Sequence, residues 1–452
     1  MKVKDILAAT GGKLVSGNPG MEVDLAKVST DTRLLKKGDF FIALTGANYD
    51  ASEFVEEAFK KGAIGAITAG RKFGTRLRDK ILITVKDTTK ALQDIASAHR
   101  LKFDIPVICV TGSNGKTTVK EMIWKVLSAK YNVLKNEGTK NNHIGVPQTI
   151  LKLNEKHNIC VLEIGMNHKG EIRLLSRIAR PTVAVMTNIG PSHLGFLGSL
   201  KAIYEAKKEI LENLEEGGVV ILNGDDPFLS KIKDGRFRTM AFGLNRHNEL
   251  RAGNIILKKG GLSFTVNDKM KFKLKILGIH NVYNALAAIA VGNHFRVAPA
   301  KIRIALSKYE PSYMRLNVLK VGGITVINDS YNSNPLSMRC ALSTLKTYPA
   351  RSRWVVSGDM LELGRMSGKL HEEIGFEAAK THPAGLIVLG KFSGRTVAGA
   401  RKGGMGKKSL WKCESHDEIA DVLNENLMKG DAVLIKGSRG MKMENIIAKI
   451  RS

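Results

Sequence analysis

Cysteine is scarce. Cys109, Cys160, Cys340 and Cys413 are too scattered over 452 residues for the paired ligand spacing of a structural zinc, and too few for a disulfide framework. A reducing compartment is the simplest setting. Aromatic residues make up only 6% of the chain, which leaves little for the stacking platforms of a nucleic-acid binder. Proline is also sparse, 11 against 45 glycines, and with 43% hydrophobic and 25% charged residues the balance excludes collagen-like and disordered chains. The uncharged stretch from Pro181 to Leu200 is interrupted by Asn188, Pro191, His193 and several glycines, so it does not read as a membrane span. Between Met1 and Lys13 the one apolar run, Ile6 to Ala9, is too short for a signal-peptide core. Cytoplasmic residence without a membrane partner is the expectation. Acidic residues are outnumbered, 42 against 71 Lys and Arg, and the net charge of +29 favours anionic partners without saying which.

The length predicts two to three domains. Residues 1–85 mix short apolar runs, such as Asp39 to Leu44, with an amphipathic helix around Ala51 to Lys61 and a strand-like Ala63 to Ala69. They read as a small α/β domain. Residues 86–310 repeatedly set an apolar strand before a Gly- or Asn-rich turn, at 107–110, 159–164, 183–186 and 219–222. Strands that are apolar throughout predict a mostly parallel sheet covered on both faces. Residues 311–452 repeat the style at 325–327, 354–356, 386–389 and 432–435, predicting a second, Rossmann-like doubly wound unit. The fold class is α/β with three domains. No short-period repeat, low-complexity linker or heptad run interrupts it.

The clearest chemical signal follows the strand Ile105 to Val110. Thr111, Gly112, Ser113, Asn114, Gly115, Lys116, Thr117 and Thr118 lead into a helical pattern through Leu127. Strand, glycine loop and helix together point backbone N–H groups and a helix dipole at phosphate. Lys116 would reach the terminal phosphates, and Thr117 would offer its hydroxyl to the accompanying Mg²⁺. Val110 stands where the strict G-x-x-x-x-G-K-[ST] motif has its first glycine. The loop alone does not say whether phosphate is transferred, hydrolysed or bound.

Two strand ends supply further candidates. The strand 159–164 carries Glu163 at its carboxyl end, where ligands of open α/β sheets collect, and the next ends in Thr187 to His193. Glu163 reads as a Mg²⁺ ligand or as a salt-bridged acid. His193 reads as one ligand among oxygens or as an ordinary loop histidine. The charged segment Tyr204 to Ile210 would by itself be a solvated helical face. The amide-rich Asn136 to Pro147 predicts a recognition loop whose ligand composition does not reveal.

Taken together these residues resemble the ATP-dependent Mur ligases along essentially the whole chain. The family's T-G-[ST]-N-G-K-T loop matches Thr111 to Thr117. Its N-N-x-x-G-V-P matches Asn141 to Pro147, its E-x-G matches Glu163 to Gly165, its N-x-x-x-x-H matches Asn188 to His193, and its A-K-x-E matches Ala206 to Glu209. Gly278 to Ala288 match G-x-H-N-x-x-N-x-L-A-A. Thr30 to Arg33 with Gly38 to Leu44 are similar to the uridine-nucleotide domain of the ligases that add the third residue or the final dipeptide. Asn328 to Pro335, Gly358 to Gly364, His371 and Lys436 to Arg439 resemble the dipeptide-adding branch, and the D-N-P-[RK] motif of the third-residue branch is missing. Ser52 departs from the histidine usual in the family.

The resemblance implies ATP-dependent joining of D-alanyl-D-alanine to UDP-N-acetylmuramoyl-tripeptide in peptidoglycan precursor synthesis, through an acyl phosphate and a tetrahedral intermediate. It implies that Lys116 clamps the phosphates, that Thr117 and Glu163 hold Mg²⁺, and that His193 helps hold a second. Lys207 matches the family's carbamylated, metal-side lysine. His280, Asn281 and Asn284 match the adenine side, and Arg315 and Asp329 match residues that reach the ATP phosphates and ribose. Asp31, Thr32, Arg33, Asn141 and Asn142, together with Asn332 and Asn334 for the dipeptide, are the implied substrate contacts. Closure of the domains would precede chemistry. A monomer is expected. Two other readings stay open: another acid–amino acid ligase of the superfamily, such as the third-residue ligase or folylpolyglutamate synthase, and a basic nucleic-acid-binding ATPase. Lys and Arg spread through all three regions weigh against the last, so no nucleic-acid partner is expected.

Overall fold

The computed structural model describes residues 1–46, 49–70, 79–258 and 260–450. Three main sheets carry the architecture, and each uses a separate stretch of chain. The first orders Lys13–Ser16, Ile81–Val85, Gly65–Ala69, Phe40–Ile42 and Val28–Ser29, parallel except at the Lys13–Ser16 edge. The helical pattern expected at Ala51 to Lys61 divides into a 3₁₀ turn, Ala51–Phe54, and the helix Val55–Lys60.

The central sheet has nine strands. Val133–Lys135, Ile159–Glu163, Val107–Thr111, Val183–Met186, Val219–Asn223, Arg238–Gly243 and Leu250–Lys258 run parallel in that spatial order. Gly261–Val266 and Met270–Leu274 then extend it as an antiparallel meander. No fully apolar run marks these strands in the sequence: Leu250–Lys258 alternates more and less exposed positions, Gly261–Val266 is broken by Ser263 and Thr265, and Met270–Leu274 alternates lysine with apolar residues. The strand before the glycine loop lies between Ile159–Glu163 and Val183–Met186. The chain passes from one side of it to the other, so the carboxyl ends of these three strands open on a topological switch point.

The third sheet orders Asn317–Val321, Ile324–Asn328, Ala432–Lys436, Arg353–Gly358, Gly385–Leu389 and Leu410–Cys413, parallel except for its first strand. The helix Thr88–Arg100 joins the first sheet to the second. Its Ala91, Leu92, Ile95 and Ala96 are buried in one apolar cluster that also holds Ile6, Phe40 and Ile83 of the first region and Val107, Ile172 and Leu175 of the central one. Among the described residues no helix is long and apolar enough to cross a membrane.

Candidate active site

The loop between Thr111 and the helix Lys116–Leu127 turns through two glycines that tolerate nothing larger. At Gly112 (φ 148°) a Cβ would fall 1.9 Å from Thr187 Oγ1, and at Gly115 (φ 82°) 2.5 Å from Asn284 Oδ1. The loop is therefore pressed between the next strand end and the helix His280–His294. Two of the loop amides have protein acceptors: Ser113 N–H donates to Asn188 O (2.9 Å) and Asn114 N–H to Asn188 Oδ1 (3.0 Å). The amides that lack an intrahelical acceptor are those opening the helix at Lys116, Thr117 and Thr118. Lys116 Nζ folds back to donate to Gly112 O at 2.9 Å. Burial lowers its pKa, while the nearby Glu163 carboxylate pulls the other way.

Glu163 ends its strand fully buried. Its backbone is fixed by Asn136, whose Nδ2 donates to Glu163 O and whose Oδ1 accepts from Glu163 N–H, both at 2.9 Å. Asn141 Nδ2 donates to Glu163 Oε1 at 2.6 Å. The amide-rich loop thus builds the carboxylate's seat, which composition did not reveal. Asn142 is exposed, and its Oδ1 accepts from Ile144 and Gly145 N–H at the start of the helix Gly145–Ile150.

Glu163 Oε2 is buried without a hydrogen-bond partner. An orphaned carboxylate oxygen of a residue that lines the same cavity as Thr117 and the glycine loop fits a hard cation. Among the described residues no group of three His, Cys, Asp or Glu could hold a metal by itself. Such a cation would need hydroxyl, water and phosphate oxygens to complete its shell, which suits Mg²⁺.

Lys207 is 1% exposed, and no carboxylate of the described residues lies within ion-pair distance of it. Burial, reinforced by the positive charge of Lys116, drives its pKa well below the usual lysine value. The solvated face read for this segment alone is thereby excluded. Glu209, two residues on, accepts from Gly170 and Arg173 N–H and caps the helix Glu171–Ala179.

Residues of the third region close the opposite wall. Arg315 Nη2 donates to Thr117 Oγ1 at 2.9 Å, and its guanidinium lies 4.2 Å from the Tyr331 ring centroid. Asp329 pairs with the buried Lys436 (Nζ to Oδ2, 2.6 Å) and accepts from Leu316 N–H. Asn334 caps the helix Pro335–Thr347 while exchanging amide hydrogen bonds of 2.8 and 3.2 Å with Asn114. Asn332 Oδ1 accepts from Ser333 N–H. His193 Nδ1 lies 2.7 Å from Glu362 Oε2, and this contact lowers the Glu362 pKa. His280 is held neutral by burial, its pKa down at about 4. Asn281 donates to Leu277 O, and Asn284 Nδ2 to Asn281 Oδ1.

These side chains surround a cavity of about 550 Å³. Of the expected site residues, Ser113 to Thr118, Asn141, Glu163, His193, His280, Asn281, Asn284, Arg315, Asp329, Asn332 and Asn334 line it. Thr111, Gly112, Asn142 and Lys207 do not; nor do Asp31, Thr32 and Arg33, which lie in the first region, where Arg33 pairs with Asp31 and holds its carboxyl down at about 2. Ser52 is also there, buried, with its hydroxyl unpartnered. Tyr331, Glu362 and Lys436 went unassigned in the sequence reading. Their signal was present in the polar strand-end segments that contain them.

Residues 110–292 match the family model of the Mur ligase middle domain, and residues 314–439 that of the Mur ligase glutamate ligase domain. The UDP-N-acetylmuramoyl-tripeptide–D-alanyl-D-alanine ligase of Bacillus subtilis (strain 168) is 40% identical over 449 residues, covering 98% of this chain and 97% of that one. The chain belongs to the Mur ligase family. Among solved structures, MurF from Acinetobacter baumannii superposes with a TM-score of 0.90 at 30% identity, over 99% of this Mur ligase and 98% of that chain. MurF ligase from Thermotoga maritima, solved in complex with ADP, gives 0.84 at 27% identity, over 95% and 98%.

Proposed function

We propose that this Mur ligase joins D-alanyl-D-alanine to the carboxylate of UDP-N-acetylmuramoyl-tripeptide, with ATP converted to ADP and phosphate, as a cytoplasmic step of peptidoglycan precursor synthesis. The observation that carries the reading is the cavity wall itself: the phosphate loop and Glu163 on one side, and Arg315, Asp329 and Asn332 on the other. Whole-length similarity to the Bacillus subtilis ligase supports the substrate pair.

A carboxylate is a poor acyl donor because its leaving group would be oxide. Transfer of the ATP γ-phosphoryl group to it supplies a competent leaving group, and the dipeptide amine then attacks the acyl carbon through a tetrahedral intermediate. Both steps crowd negative charge. Lys116, released from Gly112 O, and Arg315, released from Thr117, are the cations that answer it. Thr117 and Glu163, with His193 at a second position, would hold Mg²⁺, which neutralises phosphate charge when bound. Burial and the charge of Lys116 disfavour the protonated form of Lys207, and the neutral amine is the form that reacts with carbon dioxide; carbamylation would turn this buried amine into an anionic oxygen ligand. His280, Asn281 and Asn284 would form the adenine side. Residues 1–85, with Asp31, Thr32 and Arg33, would hold the uridine nucleotide, residues 86–310 ATP, and residues 311–452 the dipeptide. The enzyme would act as a monomer, closing its domains to exclude water from the acyl phosphate.

The test is ATP-dependent phosphate release with UDP-N-acetylmuramoyl-tripeptide, in its lysine and diaminopimelate forms, with and without D-alanyl-D-alanine. Release that needs both substrates, with a product heavier by the dipeptide residue, is expected. Absence of product with both tripeptides would overturn the substrate assignment.

A further inference from the structure

Three carboxylates line the cavity: Glu163, Asp329 and Glu362. Glu163 is buried and held by Asn141, and Asp329 is neutralised by Lys436. Glu362 differs. Its side chain is 43% exposed, His193 engages Oε2, and no described residue hydrogen-bonds Oε1. Its backbone is held in the left-handed region at φ 64°, a conformation costly for a residue with a side chain and sustained only where the surroundings enforce it. The enforcement is visible: Gly195 N–H donates to Glu362 O at 2.7 Å, and a Cβ on Gly364 would stand 2.8 Å from the Gly195 Cα. The loop is thus clamped so that a carboxylate meets the cavity beside His193.

A guanidinium stands on the adjoining loop. Arg439 lines the same cavity, half-exposed, with Nη1 engaged by Glu444 at 2.6 Å. The two loops form one platform. Leu361 N–H donates to Ser438 Oγ (2.8 Å), Ser438 N–H donates to Asp359 O (3.0 Å), and Leu361 Cδ1 lies 3.1 Å from where a Gly440 Cβ would be.

A platform that carries a carboxylate beside His193 and a guanidinium on the adjoining loop, both lining the cavity, is complementary to a zwitterion. We infer that Glu362 binds the ammonium of the incoming dipeptide and Arg439 its terminal carboxylate. The inference rests on the ligase reading above and adds the subsite. The orientation follows from the chemistry. ATP and the acyl donor are anions, so a carboxylate in this wall serves the incoming amine, and the amine is the end that must reach the acyl carbon. Arg439 then selects acceptors with a free carboxylate.

The experiment compares D-alanyl-D-alanine with D-alanyl-D-alaninamide as acceptors for the wild type, Glu362→Gln, Glu362→Asp and Arg439→Met. A hydrogen bond between charged groups predicts that the wild type favours the free acid by about 10- to 100-fold in kcat/KM, and that Arg439→Met abolishes the preference. Glu362→Gln should raise the dipeptide KM by a similar factor, with KM for ATP and for the UDP-linked tripeptide within about twofold, and Glu362→Asp should recover part of the loss. An unchanged dipeptide KM in Glu362→Gln, or equal use of acid and amide by the wild type, would overturn the subsite while leaving the ligase intact. No dipeptide-dependent product from the wild type would instead remove the ligase reading beneath it.

Discussion

The central sheet meets its two neighbours in opposite ways. Toward residues 1–85 the seam is apolar, made of Ala91, Leu92, Ile95 and Ala96 packed among side chains of both regions. Toward residues 311–452 it is largely polar, made of Asn114 with Asn334, Thr117 with Arg315, Thr139 with Tyr331, and His193 with Glu362. Opening the first exposes hydrocarbon to water, which costs about 25 cal/mol for each Å². Opening the second exchanges three pairs of hydrogen-bonded side chains and one ionic contact for water, at about 1 kcal/mol for each hydrogen bond. The cavity lies in the polar seam.

The contrast can be broken from either side. Leu92→Ala should cost about 2–5 kcal/mol of stability through the cavity it leaves, read by calorimetry as a lower unfolding temperature. A change within error would mean that the apolar seam does not hold the two regions together. On the ATP side of the cavity, Lys116→Ala should lose on the order of 100-fold or more in turnover while unfolding at nearly the wild-type temperature. Near-normal phosphate release in that variant would refute its role as phosphate clamp. Arg315→Ala should lower kcat/KM about 10-fold or more, again with little change in stability, because water can replace it on the Thr117 hydroxyl. A large fall in unfolding temperature would show that the polar seam is structural after all. The smallest effect concerns His280. Its folded pKa of about 4 lies below the ordinary histidine value of about 6.5, so the unfolded chain binds the proton first and stability falls as pH drops from about 6.5 toward 4. An NMR titration should find the ring neutral down to about pH 5, and a midpoint near 6.5 would disprove its burial.

Apolar strand runs followed by Gly or Asn turns made the parallel strands legible, since a strand buried on both faces must be apolar throughout. Val183–Met186 shows the pattern at its clearest. The strands of 250–274 are less legible because polar residues interrupt their apolar positions, most regularly at the edge strand Met270–Leu274, where lysines alternate with apolar residues. The phosphate loop was legible because its glycines, lysine and threonine are contiguous. Asn136 was not assigned, since its partner Glu163 is 27 residues away and only sheet order brings them together. Glu362 and Lys436 escaped for the same reason, their partners His193 and Asp329 lying on other strand ends.

The sequence alone determined the α/β class, the glycine loop between strand and helix and the family, because these depend on residue types at short spacing. The tertiary structure decided what those residues do next. It turned two loop amides toward Asn188, made Glu209 a helix cap, left Lys207 buried with no counter-charge among the described residues and joined the loops that carry Glu362 and Arg439. Hydrogen bonding, burial and charge pairing act across space, and distance along the chain does not encode them.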